Sequence, residues 1–264
     1  MHRWGTRSRQ GLKLKSDMEK VFGLIGSTVS HSFSKTYFDE KFFRDGLRDY
    51  HYELFPLADI TQVEALIKET KGLSGLNVTI PYKEQVMKYL DEIDPVAQKI
   101  GAVNVINIKN GKLSGYNTDS DAFYETIEKW LPKDKTFKAL ILGTGGSSKA
   151  VQVALTKLKV PFEVVSREKN KNTLTYADVE KAPEKITGSN LIINTTPLGM
   201  SPNTEAMAPI DYELIGSDHY VYDLIYNPAR TLFLQKSEMR GATIKNGLEM
   251  LHVQAEKSWN IWNN

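Results

Sequence analysis

An apolar segment, Phe137–Leu142, runs directly into Gly143-Thr144-Gly145-Gly146-Ser147-Ser148, and helix-forming sequence follows to Lys159. The first glycine permits a tight turn and the second lets backbone N–H groups approach a phosphate. The helix N-terminus behind them adds partial positive charge. These are the requirements of a dinucleotide pyrophosphate site built from Gly143, Gly145, Gly146 and Ser147. The spacing departs from the full G-x-G-x-x-G, because Ser148 stands where the third glycine would be, but serine is small enough to let helix and strand pack closely. An ordinary strand–helix turn is the alternative reading. The next strand-like piece, Phe162–Ser166, is followed by Arg167, Glu168, Lys169 and Lys171. An acid at the end of this strand would bond a ribose 2′-hydroxyl, whereas a guanidinium suits a 2′-phosphate. Ser166, Arg167 and Lys171 therefore point to NADP(H). Glu168 opposes that if it faces inward, and a solvated charged turn is the competing interpretation.

The elements around this loop follow a consistent alternation. In the second half, Phe137–Leu142, Phe162–Ser166, Leu191–Asn194 and Tyr220–Ile225 read as short buried strands separated by helical sequence. That spacing predicts βαβ units and a parallel sheet. In the first half, Val21–Gly26, Tyr50–Phe55 and Leu76–Ile80 read as strands, the last halted by Pro81. Helices are predicted over Phe33–Arg44, Ile60–Glu69, Glu84–Leu90 and Asp94–Ile100. Val103–Ile108 and Lys112–Tyr116 flank Asn110-Gly111, a strong hairpin signal because both residues tolerate positive φ. Asp121–Leu131 reads as a connecting helix before a turn at Pro132–Lys135. A final helix carries Leu248, Leu251, Ala255 and Trp262 on one stripe, as a helix docked on a core would.

Several first-half segments, taken with the glycine loop, resemble the shikimate/quinate dehydrogenase family. His31-Ser32-Phe33-Ser34 is similar to the family's H-S-x-S, and Asn77-Val78-Thr79-Ile80-Pro81-Tyr82-Lys83 to its N-V-T-x-P-x-K. Gly101-Ala102-Val103-Asn104 resembles G-A-V-N, and Asn117-Thr118-Asp119 resembles N-T-D. Further along, Asn194–Met200 is similar to N-T-T-P-x-G-M, Asp223–Pro228 to D-x-x-Y-x-P, and Gly247–Gln254 to G-x-x-M-L-x-x-Q. Two departures stand out. Ser120, Asp121 and Ala122 replace the glycine-containing G-x-G after the aspartate, and Glu249 stands where glycine is common.

The resemblance implies NADPH-dependent, reversible reduction of 3-dehydroshikimate to shikimate, with Lys83 and Asp119 as an acid–base pair. It implies substrate contacts from Ser32, Ser34, Asn77, Thr79, Asn104, Tyr226 and Gln254, and cofactor contacts from Thr195, Pro197, Met200 and Gly247 beside the glycine loop. The implied fold is α/β with two domains: an N-terminal substrate-binding domain (18–119), a C-terminal Rossmann-like NADP-binding domain (120–238), and a last helical segment (239–264) returning to the first. Outside the resemblance, Ser32 and Ser34 suit helix caps equally well, and a lysine after a strand is ordinarily a surface residue. No metal is called for, since a lysine can polarise the carbonyl, and the five histidines show no H-x-x-H or H-E-x-x-H spacing.

Composition narrows the function classes. The chain has 264 residues, 41% hydrophobic and 25% charged, enough for two modest cores. Zero cysteines exclude disulfides, thiolate metal sites and a cysteine nucleophile, which fits a cytoplasmic protein. The net charge of +2 is local. Residues 1–17 hold five Lys/Arg against one acid, leaving −2 for the chain from Met18, so a nucleic-acid surface is not supported. This leader reads as a tag or a disordered extension, with the native start at Met18. No apolar run reaches a membrane-spanning length of about 18 residues. A small molecule is the expected partner, to a monomer or homodimer. Three rivals remain: a quinate/shikimate dehydrogenase preferring NAD, a non-catalytic relative binding the same ligands, and a reductase for an unrelated carbonyl compound.

Overall fold

Two six-stranded sheets form, one from each half of the chain. The computed structural model describes residues 19–30 and 32–264, so the leader, the start at Met18 and His31 lie outside the described residues. The first half comprises β1 (Lys20–Gly26), α1 (Phe33–Arg44), β2 (Tyr50–Pro56), α2 (Val63–Glu69), β3 (Leu73–Val78), β4 (Glu92–Ile93), α3 (Pro95–Ile100), β5 (Val105–Lys109) and β6 (Lys112–Tyr116). Its strand order is β2-β1-β3-β5-β6-β4, in which β5 runs antiparallel to both β3 and β6 and the other pairs are parallel. After α4 (Asp119–Trp130) come β7 (Ala139–Leu142), α5 (Gly146–Lys157), β8 (Phe162–Ser166), β9 (Leu174–Thr175), α6 (Tyr176–Lys181), α7 (Glu184–Thr187), β10 (Leu191–Asn194), β11 (Tyr220–Asp223), α8 (Leu232–Met239), β12 (Thr243–Lys245) and α9 (Leu248–Asn263). This second sheet is parallel throughout, in the order β12-β11-β10-β7-β8-β9.

Local chemistry sets these boundaries. Asp94 caps α3 by accepting from the Val96 and Ala97 N–H groups, and Pro95 opens the helix where no N–H is needed. The Asn110-Gly111 turn has φ of 54° and 78°, as the hairpin reading required. Along β7 the side chains alternate between two cores. Ala139 and Ile141 pack with α4 and α5, while Leu140 and Leu142 pack with residues of α6, α7 and α8. Covered on both faces, the strand is apolar at every position.

Each sheet contains a point where consecutive connections leave in opposite directions. In the first, α1 carries the chain from β1 to β2, while β3 feeds strands on the other side. In the second, β7 leads to β8 while its neighbour β10 leads to β11. Crevices at such points, beyond the carboxyl ends of the strands, are where open α/β sheets bind ligands.

α9 returns to the first half. Trp262 packs on Phe22 with ring centroids 4.8 Å apart and donates its indole N–H to the Ile106 carbonyl at 3.0 Å. A Cβ at Gly75 would collide with the same indole, so strand β3 needs a glycine where the ring lies. Lys41 of α1 adds an ion pair to Glu256 at 2.9 Å.

Several expectations are corrected. Glu84–Leu90 is a 3₁₀ turn, Gln85–Tyr89, rather than an α-helix. β3 spans Leu73–Val78 rather than ending at Ile80, and the following Thr79–Lys83 segment is a loop. The short strands β4, β9 and β12 carry too few residues for a periodic signal. On α9, Leu248 is exposed rather than part of the buried stripe. The connecting helix starts earlier than Asp121: α4 begins at Asp119 itself, with Ser120 and Ala122 buried inside its first turn.

Candidate active site

The loops at the two crevices face one another. Lys83 follows β3, and its backbone is pinned by the Val103 N–H donating to the Lys83 carbonyl at 2.7 Å. Its ammonium lies 2.6 Å from Asp119 Oδ2, with the two side chains 14% and 7% exposed. A buried ion pair must have its remaining lone pairs satisfied to be tolerable. Here Asn104 Nδ2 donates to Asp119 Oδ1 at 3.0 Å and to Thr118 Oγ1 at 2.9 Å, while the Asn104 side-chain carbonyl accepts from the Thr118 N–H at 2.8 Å. Asn117 supports the turn by accepting from the Asp119 N–H at 3.1 Å. Asp119 also opens α4, where a carboxylate interacts favourably with the helix dipole.

A cavity of about 170 Å³ opens beside this pair. All nine residues expected to serve substrate and catalysis line it: Ser32, Ser34, Asn77, Thr79, Lys83, Asn104, Asp119, Tyr226 and Gln254. The Ser32 hydroxyl caps α1 by accepting from the Ser34 N–H at 3.2 Å, so the capping role and a place in the cavity hold together. Asn77 is held at both ends: its carbonyl accepts from the Tyr52 hydroxyl at 2.8 Å, and its amide donates to Ser258 at 3.0 Å. Burial pushes the Tyr52 hydroxyl well above its ordinary pKa, keeping it a donor. Tyr52 and Ser258 escaped sequence reasoning, because nothing local links a strand residue to a helix residue so far along the chain.

A second cavity, about 480 Å³, is lined by Gly143, Gly145, Gly146, Ser147, Ser166, Arg167, Thr195 and Pro197. Lys83 and Ser147 line both cavities, and the ammonium donates to the Ser147 hydroxyl at 3.3 Å. Gly143 has φ of +112°, and a Cβ there would meet Thr195 Oγ1 at 2.6 Å, so the loops after β7 and β10 interlock through a glycine. Thr195 in turn donates to the Leu142 carbonyl at 2.7 Å, a structural use of its hydroxyl.

Asn194 shapes the second loop, accepting from the Thr196 hydroxyl at 2.6 Å and donating to Asp223 at 3.0 Å. Asp223 is buried, and its carboxyl is pushed up to about 6 by that burial, against hydrogen bonds from Thr231, the Ile225 N–H and Asn194.

Not every expected cofactor residue reaches this cavity. Lys171 and Met200 do not line it, and both are exposed. Gly247 lines the smaller cavity instead, pressed so close to the Leu224 carbonyl that no side chain would fit. Conversely, Glu84, Glu168 and Tyr176 line the larger one. Burial raises the Tyr176 hydroxyl pKa and the charge of Arg167 lowers it, which sets those two groups near each other.

The larger cavity suits a dinucleotide. No side chain caps the start of α5 at Gly145, and a Cβ on Gly145 would meet nothing within 4 Å. First-turn N–H groups with open space before them are an anion cradle, and Arg167 lines the same cavity.

Comparison with known proteins bears on the family and the fold. A family profile described as "Shikimate dehydrogenase substrate binding domain" matches residues 24–106. The NADP(+) shikimate dehydrogenase of Caldanaerobacter subterraneus subsp. tengcongensis is 38% identical over 259 residues, covering 92% of this chain and 91% of its own. Among solved structures, shikimate dehydrogenase 1 from Peptoclostridium difficile superposes with a TM-score of 0.81 at 36% identity, covering 92% of this chain and 91% of its own. The Thermus thermophilus shikimate 5-dehydrogenase in complex with NADP(H) and shikimate gives a TM-score of 0.80 at 30% identity, covering 92% and 93%. With the fold, the paired cavities and these relatives in agreement, the chain belongs to the shikimate dehydrogenase family.

Proposed function

We propose that this chain catalyses the reversible NADPH-dependent reduction of 3-dehydroshikimate to shikimate, with residues 18–119 as substrate half, 120–238 as cofactor half and 239–264 closing back on the first. The observation that carries this reading is the Lys83–Asp119 pair, 2.6 Å apart where the two cavities meet. NADP(H), when bound, supplies or accepts the hydride. Lys83 meets the charge that grows on the carbonyl oxygen and delivers a proton to it. Asp119 holds the ammonium in place and accepts from a neighbouring substrate hydroxyl. In the oxidation direction the same pair takes the proton back.

Ser32 and Ser34, at the N-terminus of α1, suit the substrate carboxylate, and Asn77, Thr79, Asn104, Tyr226 and Gln254 suit its ring hydroxyls. Gly143, Gly145, Gly146 and Ser147 would hold the pyrophosphate, and Arg167 the 2′-phosphate. Glu168 lines that cavity too, and is the one observation favouring NAD. Following NADP+ reduction by purified protein with shikimate, then with quinate and with NAD+, tests the reading. No turnover with shikimate and either cofactor would overturn it.

A further inference from the structure

A second bridge crosses the cleft one residue from Lys83. Glu84 follows the lysine in the loop after β3, and its carboxylate lies 2.6 Å from the Lys149 ammonium in the first turn of α5. Beneath this pair the backbones approach closely: a Cβ at Gly146 would stand 3.2 Å from Lys83 Cβ and 3.1 Å from Ala102 Cβ. Ile100, Ala102 and Ala150 form a small apolar contact alongside. The same two segments are thus joined three ways, by Lys83 to Ser147, by Glu84 to Lys149, and by packing.

Glu84 has a second property. It lines the larger cavity together with the uncapped start of α5. A carboxylate there faces the place where a diphosphate would dock and would repel it. Lys83 cannot cancel that charge, because its ammonium is committed to Asp119. Lys149 can, from 2.6 Å.

We propose that Lys149 is a positioning residue for cofactor binding: it neutralises Glu84 at the diphosphate site and, through the same ion pair, fixes the glycine loop against the Lys83 segment. The inference rests on the dehydrogenase reading for the identity of its ligand but is read without turnover. A pair as exposed as this one, 37% and 45%, adds little to global stability. Its effect belongs to the ligand.

The test is a titration of NADPH into the full-length protein, followed by fluorescence, for wild type, Lys149→Met, Glu84→Gln and the double variant. Lys149→Met is expected to weaken NADPH binding about tenfold, or about 1.4 kcal/mol. Adding Glu84→Gln should restore most of that loss, since the repelling charge is then gone. The Lys149→Met penalty should also shrink as salt rises, because screening weakens repulsion between partly exposed charges. Unchanged affinity in Lys149→Met overturns the proposal. So does a double variant as weak as Lys149→Met, or a penalty indifferent to salt, since either marks a merely structural contact. Wild-type NADPH binding without shikimate turnover would count against the dehydrogenase reading alone.

Discussion

Lys83 touches Ser147 across the boundary between the two sheets, its ammonium 3.3 Å from the serine hydroxyl and 2.6 Å from Asp119. One donor group is thereby held by residues from both halves of the molecule. A hydride transfer needs acceptor, donor and proton source in near-attack geometry at once, and this contact is where all three would converge.

Removing that group should separate chemistry from binding. Lys83→Ala is expected to lower kcat by about 10²-fold or more, the range of general acid–base catalysis. NADPH affinity should stay close to wild type, while the urea unfolding midpoint falls because Asp119 is left buried without its partner. A well-folded variant with near-normal turnover would remove Lys83 from the mechanism.

Arg167 should govern the choice of cofactor. It is exposed, lines the larger cavity, and has no carboxylate partner among the ion pairs of the described residues. Losing a charge-assisted hydrogen bond costs about 1.5–3 kcal/mol. Arg167→Ala should therefore raise KM for NADP+ by about tenfold to a hundredfold while leaving kcat/KM with NAD+ almost unchanged. Equal losses with both cofactors would place the arginine elsewhere.

The indole of α9 should be a stability determinant for the first half. Trp262 is 8% exposed and fills the notch left by Gly75. Truncating a buried tryptophan to alanine typically costs about 3–5 kcal/mol. Denaturant titration of Trp262→Ala should show a loss of that size, and Gly75→Ala, which forces the ring away, should also destabilise.

Asp223 should leave a signature in stability against pH. Burial holds its folded carboxyl at about 6, above the ordinary value of 3.8. Because the folded pKa is the higher one, the folded state retains a proton that the unfolded chain has released between those values. Stability contributed by this group is therefore full below the unfolded pKa, declines as pH rises through the window, and is gone above about pH 6, a change of about 3 kcal/mol. Asp223→Asn cannot titrate. Relative to wild type, the variant should gain stability from pH 4 to about pH 6 and level off above it in parallel unfolding experiments. A difference constant across that range would contradict the assignment.

Much of the cofactor half was legible because its strands are buried on both faces. Short apolar runs such as Leu191–Asn194, each followed by helical sequence, leave little choice but a parallel sheet. The glycine loop was legible for the same reason, since a strand, a tight turn and a helix must meet there. Lys83 and Asp119 carry no such signature. They stood out only through the motifs around them, and their mutual distance required the fold. Lys171 and Met200 lie outside the lining of the larger cavity, since adjacency in sequence to a site loop does not set where a long side chain ends. The Tyr52–Asn77–Ser258 links and the Glu84–Lys149 bridge were invisible because each joins residues with no local relation.

The docking of α9 also bears on the order in which the molecule can assemble. Trp262 and its acceptor at Ile106 are 156 residues apart along the chain. Everything in the second sheet is synthesised between them. The first sheet can pair its strands as it leaves the ribosome, yet the ring that seals its core arrives only after the other half has been made. Contacts so remote in sequence slow folding and leave apolar surface waiting. α9 leaves the ribosome only after β12, the last strand of the second sheet, so the first core lacks its closing ring until the second sheet has been made.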